Sequence, residues 1–113
     1  MRLRTLASAL AVALVTTVLV TLSFAGSADA ATMRTWQRLA NCESGGRWHI
    51  NTHNGYYGGL QISSGTWRAY GGKRFARNAH AATRVQQVKV ATRIKNRQGW
   101  GAWPSCSRRI GVR

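Results

Sequence analysis

Cys42-Glu43-Ser44-Gly45-Gly46-Arg47-Trp48-His49-Ile50-Asn51-Thr52-His53-Asn54-Gly55-Tyr56-Tyr57-Gly58-Gly59-Leu60-Gln61-Ile62 is the stretch in which the chain changes character. Just upstream, Trp36, Leu39 and Ala40 recur at helical spacing and Thr32 or Thr35 can cap the start, so a short helix is predicted from Thr32 to Cys42. Ser44-Gly45-Gly46 ends it. Glu43 is thereby left at or just past a helix C-terminus, beside a glycine turn where a ligand can approach the backbone closely. From Ile50 to Ile62 the helical period is gone. Asn54-Gly55 is a tight-turn signal, and Tyr56, Tyr57, Leu60 and Ile62 suit short strands, so a small hairpin or irregular β segment is expected.

Downstream, Ser63 or Ser64 can cap a short helix through Trp67 and Tyr70, stopped by Gly71-Gly72. Thr83 and Gln86 have capping-box spacing, and Val85, Val88, Ala91 and Ile94 form one apolar face of a longer helix that Gly99 stops. Lys89, Arg93 and Arg97 lie at i, i+4 and i+8 of that helix with no acidic partner, so they repel mildly unless a polyanion relieves them. Gln98 to Cys106 reads as a loop tied back to the first helix. The fold class is α+β, mainly helical: one domain with a small β element.

The charge balance narrows the chemistry. The 113 residues hold 17 Lys plus Arg but only two acidic side chains, Asp29 and Glu43. Arg2 and Arg4 precede an apolar run from Leu6 to Phe24, and Ala28-Asp29-Ala30 suits cleavage before Ala31, so residues 1–30 read as a secretory signal peptide and 31–113 as the domain that folds. The competing reading is a retained membrane anchor, since the run approaches the roughly 20 residues that span a bilayer. Ser8, Thr16, Thr17, Thr21 and Ser23 dilute it, and the A-x-A pattern favours the signal. Cleavage removes Asp29 and leaves Glu43 as the one acidic side chain. That excludes a side-chain carboxylate pair, a Ser-His-Asp triad and a carboxylate-rich Ca2+ or Mg2+ site.

Two cysteines remain. In an exported chain Cys42 and Cys106 most simply form one disulfide, worth about 4 kcal/mol in the chain-entropy model. A nucleophilic cysteine is the alternative, as is a zinc site with His49, His53 and His80, although no spacing matches a known ligand set. No metal and no cofactor is therefore expected.

A chain that avoids acidic residues yet keeps one beside a cysteine and a Gly-Gly turn has a candidate catalytic group in Glu43, since one carboxyl can act first as general acid and then as general base. Tyr56, Tyr57, Trp67, Trp100 and Trp103 offer flat apolar faces, and Asn51, Gln61, Thr66 and Gln98 offer uncharged hydrogen-bond partners, a combination suited to saccharides. For Trp36, Trp48 and Trp103 individually, core filling is the more ordinary role.

These residues also carry a resemblance. Cys42-Glu43-Ser44-Gly45-Gly46, Ile50-Asn51-Thr52 with Asn54-Gly55-Tyr56-Tyr57-Gly58-Gly59-Leu60-Gln61, Gly65-Thr66-Trp67, and Gln98-Gly99-Trp100-Gly101-Ala102-Trp103-Pro104-Ser105-Cys106 resemble, in order and spacing, the resuscitation-promoting factor domain of actinobacteria. The likeness runs from about Thr35 to Cys106. It implies a compact lysozyme-like fold related to soluble lytic transglycosylases, a disulfide matching Cys42 with Cys106, and a secreted enzyme cutting peptidoglycan glycan strands in the cell wall. It places Glu43 at the catalytic glutamate position, Tyr56 and Gln61 in the substrate-binding segment, and Thr66 and Gln98 on the cleft. A peptidoglycan endopeptidase partner is also implied. Ile62 stands where Phe is usual, His53 where Gly is usual, and Ser63 where some relatives have Asp.

With one carboxylate, two routes remain for cleavage between N-acetylmuramic acid and N-acetylglucosamine: the muramic C6 hydroxyl attacks its own anomeric carbon, or the acetamido group or a water does so. The first, the lytic transglycosylase route, fits a chain with one acid and no base to activate water. A general acid needs a raised pKa, and positive charge opposes that, so the Arg and Lys side chains are expected to point away from the cleft and Arg47 not to pair with Glu43. The other function class is a non-catalytic cationic protein, binding the wall or acting as an antimicrobial, since a pI near 11.9 suits both. A nucleic-acid partner is disfavoured by the signal and by the absence of a recognised module. A monomer without stable membrane association after signal cleavage is expected.

Overall fold

The computed structural model of the chain describes residues 13–17 and 25–113; the expected signal peptide therefore lies largely outside the described residues. Among the described residues no helix is long and apolar enough to cross a membrane. Helix α1 spans Ala25–Ser44, starting earlier than predicted because the alanine-rich segment before Thr32 is itself a good helix former. It buries Trp36, Leu39 and Ala40. Gly45 and Gly46 both adopt left-handed φ (67° and 74°) and turn the chain away, their N–H groups donating to Asn41 O and Ala40 O at 3.1 Å.

Strands β1 (Tyr56–Tyr57) and β2 (Ile62–Ser63) pair antiparallel, with Tyr56 opposite Ser63 and Tyr57 opposite Ile62. Asn54-Gly55 is not the turn of this hairpin. It reverses the chain one step earlier, so that Asn51 bridges Tyr57, with Asn54 Oδ1 accepting from Tyr56 N at 3.0 Å. The hairpin turn itself is Gly58-Gly59-Leu60-Gln61.

Helix α2 (Ser64–Ala69) is capped by Ser63, as its sequence predicts. Two short 3-10 turns, Gly72–Arg74 and Ala79–Ala81, lead to α3 (Arg84–Gln98). Its capping box is complete: Gln86 N donates to Thr83 Oγ1 at 3.1 Å, and Thr83 N donates to Gln86 Oε1 at 3.0 Å. Val88, Ala91 and Ile94 face the core, but Val85 is 53% exposed because the first turn of α3 runs past it; Val90 and Gln87 complete the buried face instead.

The segment predicted as a loop is largely helical. A 3-10 turn, Trp100–Ala102, leads into α4 (Pro104–Ile110), which starts with a proline whose missing N–H is harmless there and stops at Gly111. Cys106 of α4 is joined to Cys42 of α1, with Cα atoms 5.7 Å apart, and Arg38 Nη2 adds a 2.8 Å bond to Ile110 O. No free cysteine remains, which removes the nucleophile and zinc alternatives for these thiols. The result is a mainly helical α+β domain of lysozyme-like type, with Trp36, Leu39, Leu60, Trp67, Val90 and Ile94 at its centre.

Candidate active site

Glu43 is the penultimate residue of α1, half-buried, in a depression of about 310 Å³ lined also by Tyr56, Gln61, Ala102, Trp103 and Pro104. Burial raises its pKa above the ordinary carboxylate value. The position at the C-terminal end of α1, the negative end of the helix dipole, disfavours a negative charge in the same sense. Arg47 does not reach the carboxyl: its Nε donates to Ser44 O at 2.8 Å, and its backbone N–H donates to Ser44 Oγ at 3.1 Å.

Tyr56, Gln61, Ala102 and Trp103 also line an adjoining depression with Ile62, Ser63, Thr66, Ile94 and Gln98. The two are therefore one cleft that runs from Pro104 past Glu43 toward α2 and the end of α3. No Arg, Lys or second carboxylate lines either part.

Several polar side chains along the cleft are held by neighbours. Ser63 Oγ donates to Thr66 Oγ1 at 3.0 Å, and Gln98 Nε2 donates to Tyr70 Oη at 2.8 Å. Gln61 sits at φ 51°, a left-handed conformation uncommon for a residue with a Cβ, and its Nε2 donates to Gly58 O at 3.0 Å. Such a backbone persists only where its surroundings fix it.

The fixing group is Gln87, fully buried on α3. Its Oε1 accepts from Gly59 N at 3.0 Å, and its Nε2 donates to Trp48 O at 2.7 Å and Ala82 O at 3.0 Å. Gly58 leaves room for this amide, since a Cβ there would run into Gln87 Oε1. Ser44 Oγ holds the same turn from the other side, 2.9 Å from Gly59 O. Sequence reasoning missed Gln87; the only signal was a polar residue on the apolar side of α3.

Glu43, Tyr56, Gln61, Thr66 and Gln98 thus come together, but two expected residues do not join them. Trp67 is fully buried with its Nε1 donating to Ala76 O at 2.8 Å, so it is a core residue with no face for a ligand. Trp100 packs on Trp36 (4.9 Å between ring centroids) under Lys95 and opens into a groove with Arg108 and Arg113 that adjoins the cleft at Pro104 and does not include Glu43. Trp103, expected in the core, is largely buried with Nε1 donating to Leu60 O at 2.8 Å, yet it also forms part of the cleft floor. Ala102 and Pro104 line the cleft as well and were not anticipated. Among the described residues no group of three His, Cys, Asp or Glu side chains could hold a metal ion.

A small helical domain with one half-buried carboxyl in an uncharged, aromatic-edged cleft is of the lysozyme-like class, and the family model for the transglycosylase-like domain matches residues 24–106. The chain is 60% identical over 88 residues to resuscitation-promoting factor Rpf1 of Corynebacterium glutamicum, covering 78% of this chain and 46% of that protein. It is 57% identical over 79 residues to RpfB of Mycolicibacterium smegmatis (70% of this chain, 22% of that protein) and 48% identical over 89 residues to Rpf of Micrococcus luteus (79% and 39%). The chain belongs to the resuscitation-promoting factor family. It spans less than half the length of each of these three relatives.

Proposed function

We propose that the protein cleaves the glycan strand of peptidoglycan between N-acetylmuramic acid and N-acetylglucosamine as a lytic transglycosylase, with Glu43 as the single general acid and base. The observation that carries this reading is a carboxyl held toward its neutral form by burial, in a cleft without a second carboxylate. Protonated Glu43 donates its proton to the glycosidic oxygen as the C1–O bond breaks. The carboxylate then takes the proton of the muramic C6 hydroxyl as that oxygen bonds to C1, closing a 1,6-anhydro ring and restoring the acid. No second carboxylate is needed to activate water, unlike the paired arrangement of ordinary glycosidases. Tyr56, Gln61, Thr66 and Gln98 supply hydrogen bonds and a ring face to the sugars, and Trp103 and Ala102 form the floor.

The relatives' names, resuscitation-promoting factors, support a role in resuscitation, which this reading widens to wall remodelling and assigns to a secreted monomer released by cleavage before Ala31. Trp36, Leu39 and Ala40 lie downstream of that point, so the core survives processing. An endopeptidase acting on the peptide cross-links is the partner that would complement glycan cleavage. Mass analysis of peptidoglycan fragments tests the reaction: 1,6-anhydro ends are expected, and hydrolytic ends alone would replace the transglycosylase by a muramidase.

A further inference from the structure

Tyr56 and Tyr57 are successive strand residues and point to opposite faces of the β ribbon. Tyr56 faces the Glu43 cleft. Tyr57, stacked on His80 with ring centroids 5.3 Å apart, belongs to a second depression of about 440 Å³ lined by Asn51, Ser64, Arg68, Lys73, Arg77 and Asn78 as well.

Two features define this place on a basic surface. Arg38, Arg47, Arg84, Arg93 and Arg108 each donate to an oxygen of the protein, whereas the side chains of Arg68, Lys73 and Arg77, like those of Arg34, Lys89, Arg97 and Arg109, make no hydrogen bond within the protein among the described residues, and here three such cations share one depression. Both asparagines use their oxygens internally: Asn51 Oδ1 accepts from His53 N at 3.0 Å, and Asn78 Oδ1 accepts from Ser64 Oγ at 2.6 Å. Their NH2 groups are left as donors, beside three cations, in a depression without a carboxylate.

We propose that this depression is a second binding site, separate from the glycan cleft, that takes the phosphate groups of an anionic phosphodiester polymer. Guanidinium and ammonium groups with amide N–H donors suit phosphate oxygens. The cations come from α2, the 3-10 turn after it and the following loop, a spread that fits a chain of repeated anionic centres better than one carboxylate. Such a site would keep the protein on a phosphate-bearing surface while the opposite face of the ribbon works on glycan.

The test is equilibrium binding of full-length protein to poly(glycerol phosphate) and to poly-glutamate of equal charge, at about 150 mM salt, where exposed charges more than roughly 8 Å apart are largely screened. The triple variant Arg68→Gln/Lys73→Gln/Arg77→Gln should bind poly(glycerol phosphate) on the order of tenfold more weakly, beyond the loss in a control of equal charge, Arg34→Gln/Arg97→Gln/Arg109→Gln. Equal losses in the two triples would mean diffuse attraction and overturn the site. Equal affinity of the unmodified protein for poly-glutamate would overturn its phosphate character. Glu43→Gln should leave this binding unchanged, so the outcome is independent of whether the cleft cleaves glycan.

Discussion

The Arg47 guanidinium folds back to donate from Nε to the carbonyl of Ser44 at 2.8 Å, so the cation nearest Glu43 in sequence serves the helix end and not the acid. A cation at a helix C-terminus is favourable in its own right, which gives Arg47 a reason to stay there. Glu43 is left with burial as the dominant influence, and burial raises its pKa. Activity that requires the protonated form should therefore fall as pH rises through this elevated value. A pH profile of initial rates on purified peptidoglycan checks it, and an alkaline limb displaced upward from that of a free carboxyl is the expected result. Arg47→Ala should leave that limb in place, whereas a distinct shift would mean that the guanidinium acts on the carboxyl after all.

The same raised pKa has a consequence for stability. The folded state holds Glu43 neutral more readily than the unfolded state does, so no desolvation cost exists below the unfolded pKa, and one develops as pH rises through the folded value. Glu43→Gln removes that cost. The variant should lose roughly 100-fold to 10,000-fold in turnover while binding wall material normally, and it should melt no lower than the parent at neutral pH. At strongly acidic pH the two melting temperatures should converge. A purely cationic wall-binding or antimicrobial protein would keep its full activity in this variant, so turnover and melting measured together separate the two classes.

What the sequence discloses and what it hides divide along local and tertiary lines. The Thr83–Gln86 capping box and the Ser63 cap were legible because each motif is closed by groups three residues apart. Helix α4 was not, because its seven residues carry no side-chain cap and are held by Cys42 and Arg38 of a distant helix. The motif residues Glu43, Tyr56, Gln61, Thr66 and Gln98 could be named in advance, but nothing local says that Trp67 is fully buried while Trp103 reaches the cleft. Both indoles are flanked by polar or small residues, and only the packing of α2 and α4 on the core separates their roles.

Those two tryptophans give a contrast that can be measured. Trp67→Ala should destabilise the domain by about 3 to 5 kcal/mol through loss of a fully buried ring. Because Trp67 has no face on the cleft, KM for the protein that remains folded should be unchanged. Trp103→Phe should cost less in stability, since most of the ring volume is kept, but it removes the indole N–H bond to Leu60 O and reshapes the cleft floor. Its KM should rise. Urea unfolding alongside steady-state kinetics distinguishes the two, and a changed KM in folded Trp67→Ala would place that residue near substrate.

The covalent tie between α1 and α4 acts on both stability and the site. Replacing Cys42 and Cys106 by serine should lower stability by roughly 4 kcal/mol in the chain-entropy model, read from urea midpoints of oxidised parent and variant. Cys42 precedes Glu43 directly, and α4 carries Pro104 to the cleft, so loosening this link frees one wall relative to the acid. Activity of the variant should accordingly decline at temperatures below its unfolding transition.

Gln87 holds the turn that presents Gln61, and it does so as a buried amide with three backbone partners. Gln87→Met keeps the shape but removes the amide, leaving Gly59 N, Trp48 O and Ala82 O each without that bond. A buried polar group left unsatisfied costs about 1 to 3 kcal/mol, so a loss of at least about 2 kcal/mol is expected. The left-handed backbone at Gln61 should then relax, since the turn is no longer fixed from α3. Tyr56 and Gln61 flank Glu43, so KM should rise more than kcat falls while the pH limb set by Glu43 stays in place. Gln87→Glu, which retains an acceptor for Gly59 N, should recover part of the substrate affinity. If Gln87→Met were destabilised with KM unchanged, Gln87 would be a core residue alone and not the positioning group for Gln61.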